Sequence, residues 1–391
     1  MSLDLARDVI FVTLGGSHAH GTQRAGSDVD LRGICVVPDA LRFSLFERFE
    51  QHEGRLEGSL ADMLQPRLES HPTTRDALAV GRPNVSPRSG SREFEVKIEV
   101  VIYDVAKLLR MLVEANPNAL EILFADPSDW LLESGTFRRI YEERRRFLTT
   151  KVQATYLGYA MAQLRKIKTH RSWLLSPPRE PPKRSDFGLP ERSVISSDER
   201  DRIERAVEAK MKSYGIDDLE LPKAARIAIA ERMRSFFADS ALEADPDEAV
   251  RRVAGRSLGL SKELIDALDR ERRFRAAVRQ RTAYDEWKSS RNPARAELEA
   301  KFGYDTKHAM HLLRLLRTGI EVLESGDLVV KRSDAAELKK VRDGALSFAE
   351  LEAEAERLRA RMEIASTASA LPALVDERFV DELYLGLIGR R

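Results

Sequence analysis

The stretch Val9-Ile10-Phe11-Val12-Thr13-Leu14-Gly15-Gly16-Ser17, with Asp28-Val29-Asp30-Leu31 following after ten residues, constrains the fold more than any other part of the chain. An apolar, β-rich run that ends at paired glycines reads as a buried strand entering a tight turn. Leu31 to Val37 continues the aspartate segment as a second strand until Pro38 stops it. Residues i and i+2 of a strand project from one face, so Asp28 and Asp30 are expected to point together. Two carboxylates side by side repel each other unless a cation sits between them, and their hard oxygens suit Mg²⁺ carrying a nucleoside triphosphate. The glycines let backbone N–H groups approach a phosphate closely, with the Ser17 hydroxyl as a further donor. A Walker-type phosphate loop is excluded, because Gly21 is followed by Thr22-Gln23 rather than Lys-Ser/Thr.

The residues Gly16-Ser17-His18-Ala19-His20-Gly21-Thr22 and Ser27-Asp28-Val29-Asp30-Leu31-Arg32-Gly33 resemble those of a bacterial and phage group of nucleotidyltransferases. This is the RNA-repair-pathway, DNA-polymerase-β-like family. The resemblance recurs at Asn116-Pro117-Asn118-Ala119-Leu120-Glu121-Ile122-Leu123-Phe124, at His170 to Leu175, at Asp186 to Pro190 and at Gly303 to His311. It spans most of the chain apart from about 40–93. It implies an α+β fold, in which a polymerase-β-like domain with a mixed sheet flanked by helices precedes a mostly α-helical domain.

The resemblance also implies a site. Asp28 and Asp30 would hold Mg²⁺ (or Mn²⁺), Gly16 and Ser17 would hold the phosphates of a nucleoside triphosphate, and pyrophosphate would leave. Glu99 falls where the family carries a third acidic residue, which binds metal and helps an acceptor hydroxyl lose its proton. Alternation in Phe94 to Tyr103 puts Glu95, Lys97 and Glu99 on one face, so Glu95 is the fallback. The family name points to RNA as acceptor. Transfer of AMP to a protein or small-molecule hydroxyl is the second reading, and a nucleotide-binding regulator without turnover is the third.

In the segment Tyr304 to Ile320, Ala309, Leu312, Leu313, Leu316 and Ile320 have the spacing of a buried helix stripe. Lys307, His311, Arg314 and Thr318 fall on another face. A helix that turns Lys, His and Arg toward a cleft suits triphosphate oxygens, Lys as a point charge and Arg as a fork. Asp305, His308 and His311 lie close in sequence, yet no further His or Cys cluster completes a transition-metal set. His18 and His20, in the glycine turn, either touch phosphate or shape the loop.

Organisation falls into residues 1–125, a nucleotidyltransferase module with an insertion at about 39–92, and residues 126–391, mostly helical. Within the insertion a helix is expected over Leu41 to Glu50, then a weakly patterned stretch that ends in the turn-rich segment 81–91. Tyr103 to Glu114 and Thr150 to Thr169 have helical spacing, and the Pro-rich connector about 176–190 interrupts the helical part. Asp269 to Arg281 is rich in arginine and is either an RNA contact or a solvated helix face.

The balance of 65 Lys and Arg against 64 Asp and Glu in 391 residues gives no global charge for nucleic acid, so any RNA surface must be local. One cysteine, Cys35, precludes an intrachain disulfide and is expected in the core. No apolar run is long enough to cross a membrane, and the start lacks a leader pattern, so the chain reads as soluble and cytoplasmic. Nothing in the sequence specifies an oligomeric state.

Overall fold

A computed structural model describes residues 3–24, 26–75, 78, 97–178, 180–193, 195–212, 246–291 and 293–389. The chain divides into two compact units, residues 1–175 with 293–391, and residues 176–292. Five strands of the first unit form one mixed sheet. They are β1 (Val9–Gly15), β2 (Val29–Cys35), β3 (Gln51–Arg55), β4 (Ile98–Asp104) and β5 (Trp130–Glu133), in the order β3-β4-β2-β1-β5. β2 and β4 are parallel, and the other pairs are antiparallel.

The longer helices, and the short one of the glycine turn, are numbered along the chain. They are α1 (Gly16–Ala19), α2 (Gly58–Ser70), α3 (Val105–Val113), α4 (Pro117–Leu123), α5 (Lys151–Leu175), α6 (Ser197–Lys212), α7 (Pro246–Ser257), α8 (Lys262–Ser290), α9 (Thr306–Ser325) and α10 (Phe348–Ala368).

Strand alternation assigns the two faces of the sheet. Val29, Leu31, Val100 and Ile102 pack with Leu60, Leu64 and Leu68 of α2. Ile34, Val101 and Tyr103 join the larger core built with α3, α4, α5, α9 and α10. Asp30 and Arg32 alternate with Val29 and Leu31, so they lie on the side of the larger helical core.

The centre of that core is α9, which is more deeply buried than its stripe predicts. Arg314 and Thr318, expected on a polar face, are buried along with Ala309, Leu312, Leu313, Leu316 and Ile320. Gly319 permits this packing. A Cβ built there would stand 2.7 Å from Met362 Cε of α10 and 3.0 Å from Tyr156 Cβ of α5. On α5, the buried residues Val152, Tyr156, Ala160 and Ile167 follow the helical period.

The stretch 39–92 departs from its expected form. The helix over Leu41 to Glu50 is reduced to Asp39–Arg42, and Gln51–Arg55 adds an edge strand against β4. This strand is polar and mostly exposed, so backbone pairing rather than side-chain burial holds it, and its sequence carries no alternating signal. The segment 81–91 lies outside the described residues. Cys35 is buried in β2, as expected.

The second unit contains α6, α7 and α8. Leu189, Val207, Ala254, Ile265, Leu268 and Tyr284 are its buried apolar residues among those described. Three of the six arginines of α8 meet acids within the unit. Arg272 pairs with Asp269, Arg275 with Glu204 and Arg281 with Asp285.

Candidate active site

The sheet brings the predicted residues into adjacent rungs. Asp30, the second residue of β2, is flanked by Gly15 on β1 and by Glu99 on β4. Residues directly opposite in a sheet share a face, so the Asp30 and Glu99 carboxyls project to the same side. Asp28 stands one residue before β2 and is exposed, as is Glu99, whereas Asp30 is half-buried. Arg32, two residues along the same face, reaches Asp30 Oδ1 at 3.3 Å. Glu95 lies outside the described residues.

Asp30 also fixes the chemistry of the turn. Gly16 has φ +54°, and a Cβ built on it would lie 2.0 Å from Asp30 Oδ2. No other residue combines this left-handed conformation with so close an approach. Gly16→Ala is therefore expected to displace Asp30 and to lower stability by about 1–3 kcal/mol, measured by urea unfolding. A variant as stable as the parent would refute this packing.

The histidines of the turn shape it from within. His18 and His20 are both buried. Burial holds the His18 imidazole below its ordinary pKa, opposed by the charge of Asp30. His20 Nε2 lies 3.1 Å from Glu121 Oε2. Burial and then Arg314 lower the pKa of His20, so it is neutral at pH 7.

A cleft of about 380 Å³ opens beside Gly15 and Gly16, walled by α4, α5 and α9. Its lining holds four permanent cations, Arg32, Lys166, Lys307 and Arg314, and one carboxylate, Glu121. Glu121 is ion-paired with Arg314. Burial raises the Glu121 pKa, but Arg314 and His20 outweigh it and hold the carboxyl far below its usual range.

Lys307 is exposed at the cleft. His311 lines it too, and burial, followed by Arg314 and Lys307, drives its pKa well down. This helix thus presents Lys307 as a charge and His311 as a neutral hydrogen-bonding ring, with Arg314 already engaged by Glu121. Ser17 is half-buried at the start of α1, and its carbonyl accepts from Thr22 N.

The donor chemistry of Asp28, Asp30 and Glu99 fits Mg²⁺. All three offer hard carboxylate oxygens, and their exposure leaves room for the water ligands that Mg²⁺ retains. Sequence reasoning did not single out Glu121, Arg32 or Lys166 as site residues. Glu121 had one legible signal, a lone acid within the apolar run Ala119-Leu120-Glu121-Ile122-Leu123. Arg32 and Lys166 had none that distinguishes them from surface cations.

Residues 4–173 match the model of the RNA repair pathway DNA polymerase beta family, RlaP. Over this segment the chain is similar to that family. The matched region contains β1, β2 and β4, the glycine turn, Asp28, Asp30 and Glu99, and it ends within α5. RlaP is by its description a polymerase-β-like family of RNA repair, which carries nucleotidyl-transfer chemistry as a class. The resembling stretches at Asp186 to Pro190 and Gly303 to His311 lie beyond the RlaP match. No curated protein and no solved structure matches the chain. No described helix is long and apolar enough to cross a membrane.

Proposed function

We propose that the chain is a Mg²⁺-dependent nucleotidyltransferase that moves a nucleoside monophosphate from a triphosphate to a hydroxyl at an RNA end. The observation that carries this reading is the cation-lined cleft beside Gly15 and Gly16, with Asp30 on the adjacent rung and Glu99 next to it. Four cations against one paired carboxylate suit a triphosphate. Residues 1–125 supply the carboxylates in this reading, and α5 and α9 supply Lys166, Lys307 and His311.

In the reaction, an acceptor oxygen attacks the α-phosphorus, the bond to the bridging oxygen breaks, and pyrophosphate leaves with that electron pair. Asp28, Asp30 and Glu99 would hold Mg²⁺ (or Mn²⁺), which when bound neutralises phosphate charge and makes the acceptor hydroxyl more acidic. Gly15 and Gly16 let the backbone approach the phosphates. Lys166 and Lys307 orient the triphosphate in the cleft, and His311 offers a neutral hydrogen bond. Glu99, exposed at the start of β4, takes the acceptor proton in this reading. Most of the rate enhancement comes from positioning and charge neutralisation. A cytoplasmic setting, where triphosphates and RNA are at hand, belongs to the same proposal.

One observation favours a second acceptor class. Half of the arginines of α8 are engaged by acids of its own unit. This helix therefore offers less to a phosphate backbone than its sequence suggests, and AMP transfer to a protein or small-molecule hydroxyl is the competing reading.

The test supplies each α-labelled triphosphate with Mg²⁺ and total cellular RNA, then separates RNA from protein. Label on RNA supports the proposal. Label on protein moves the acceptor to the second class. Triphosphate binding without pyrophosphate release would leave a regulator.

A further inference from the structure

The C-terminal half of α5 and the start of α9 bring together His170, Asp305 and His308, which the reaction above does not use. Among the described residues this is the one set of three His, Cys, Asp or Glu side chains whose ligand atoms all lie within 4.8 Å of one another. Asp305 Oδ2 stands 3.6 Å from His308 Nε2 and 3.9 Å from His170 Nδ1. Both distances exceed a hydrogen bond. They are close to the separation between ligand atoms in a tetrahedral zinc site, about 3.3 Å for bonds of about 2.0–2.1 Å.

The remaining atoms of these side chains aim the set inward. Asp305 Oδ1 caps α9 by accepting from His308 N at 3.0 Å, and Oδ2 faces the two imidazoles. His308 Nδ1 lies 2.7 Å from Gln163 Oε1. An amide oxygen only accepts, so Nδ1 carries the proton and Nε2 presents its lone pair toward Asp305. Asp305 is fully buried. There, a divalent cation between Nε2 and Oδ2 would be held by both atoms. A doubly protonated His308 would also answer the charge, but its hydrogen bond to the carboxylate would draw the two atoms to about 2.7–2.9 Å. Gln163 stands where an outer partner fixes the tautomer of a metal-binding histidine.

We propose that His170, Asp305 and His308 bind a divalent transition metal of the Zn²⁺ class in the wall of the cleft. Two imidazole nitrogens and one carboxylate oxygen favour such an ion over Mg²⁺, which prefers oxygen alone. Three protein ligands leave a fourth position open. His308 and Gln163 also line the cleft, so that position is available to water or to an oxygen of a cleft ligand. The ion would tie α5 to α9, and its presence does not depend on the nucleotidyl-transfer reading.

The full-length chain, stripped with a chelator, is titrated with Zn²⁺ by calorimetry and with Co²⁺ by visible absorption. One equivalent per chain is expected, with the intense Co²⁺ bands of a four-coordinate site. His170→Gln and His308→Gln should each weaken Zn²⁺ binding at least about a hundredfold. Asp305→Asn keeps a capping side chain but removes the charge, so it should lose Zn²⁺ while circular dichroism stays unchanged. The double variant Asp28→Ala/Asp30→Ala should bind Zn²⁺ as the parent does. The proposal is overturned if the parent takes up no stoichiometric Zn²⁺. It is equally overturned if all three single variants bind like the parent, or if only the double aspartate variant loses the ion.

Discussion

Asp30→Ala should lower nucleotide transfer by about a thousandfold or more, equivalent to ~4 kcal/mol of transition-state stabilisation, with little change in stability. The two effects separate for a structural reason. Asp30 is central to the proposed site, between Gly15 and Glu99, but its own contacts are weak. The ion pair with Arg32 spans 3.3 Å, and both side chains keep more than a quarter of their exposure. Such a pair contributes about 0–1 kcal/mol. Removing Asp30 also relieves its repulsion with Glu99. Urea unfolding should therefore change by less than about 1 kcal/mol, while label transfer from an α-labelled triphosphate disappears. Asp30→Asn preserves shape and should be as inactive. Turnover above a tenth of the parent rate in either variant would remove Asp30 from the reaction.

Glu121→Ala should do the opposite and destabilise the first unit by about 3 kcal/mol. It removes the carboxylate that faces both Arg314 and His20 in the interior. Breaking a buried pair from one side costs about 3–5 kcal/mol, and the 17% exposure retained by Glu121 places it at the lower end. Glu121→Gln keeps an acceptor for His20 and should lose less. In the double variant Glu121→Met/Arg314→Met no charge is stranded, so much of the stability should return. Losses that simply add across this cycle would refute the coupling.

The same network sets the response to acid. Glu121 has a depressed pKa, so its contribution is present above the ordinary carboxylate value of 4.5 and is lost as pH falls toward the folded-state value. His20 and His311 also have lowered pKa values, so the unfolded chain takes up their protons first. Stability should thus begin to fall below pH 6.5, each histidine adding a slope of up to about 1.4 kcal/mol per pH unit. Denaturant unfolding between pH 8 and pH 5 measures this slope, and His20→Gln should flatten it.

The insertion shows where sequence reading loses its grip. Buried strands β1 and β2 announce themselves because side-chain burial selects apolar residues. Gln51–Arg55 joins the same sheet through backbone hydrogen bonds at an exposed edge, a role nearly any sequence fills. The α9 helix shows a related limit. Its apolar stripe was legible, but the partner of Arg314 was not, since the arginine expected to meet phosphate is ion-paired with Glu121, 193 positions away.

Short-range geometry made the core of the candidate site legible from the amino-acid sequence alone. The spacing of Asp28 and Asp30 predicts one shared face, and β2 includes Asp30 and starts one residue after Asp28. Paired glycines permit the turn that Asp30 crowds. Packing between distant segments decided the rest. It placed Glu99 beside Asp30, joined His20 and Glu121 to Arg314, left His311 neutral, and drew His170 to Asp305 and His308. These outcomes depend on which helix faces meet and how much water they exclude. Such desolvation belongs to the assembled core, so no local spacing of residues encodes it.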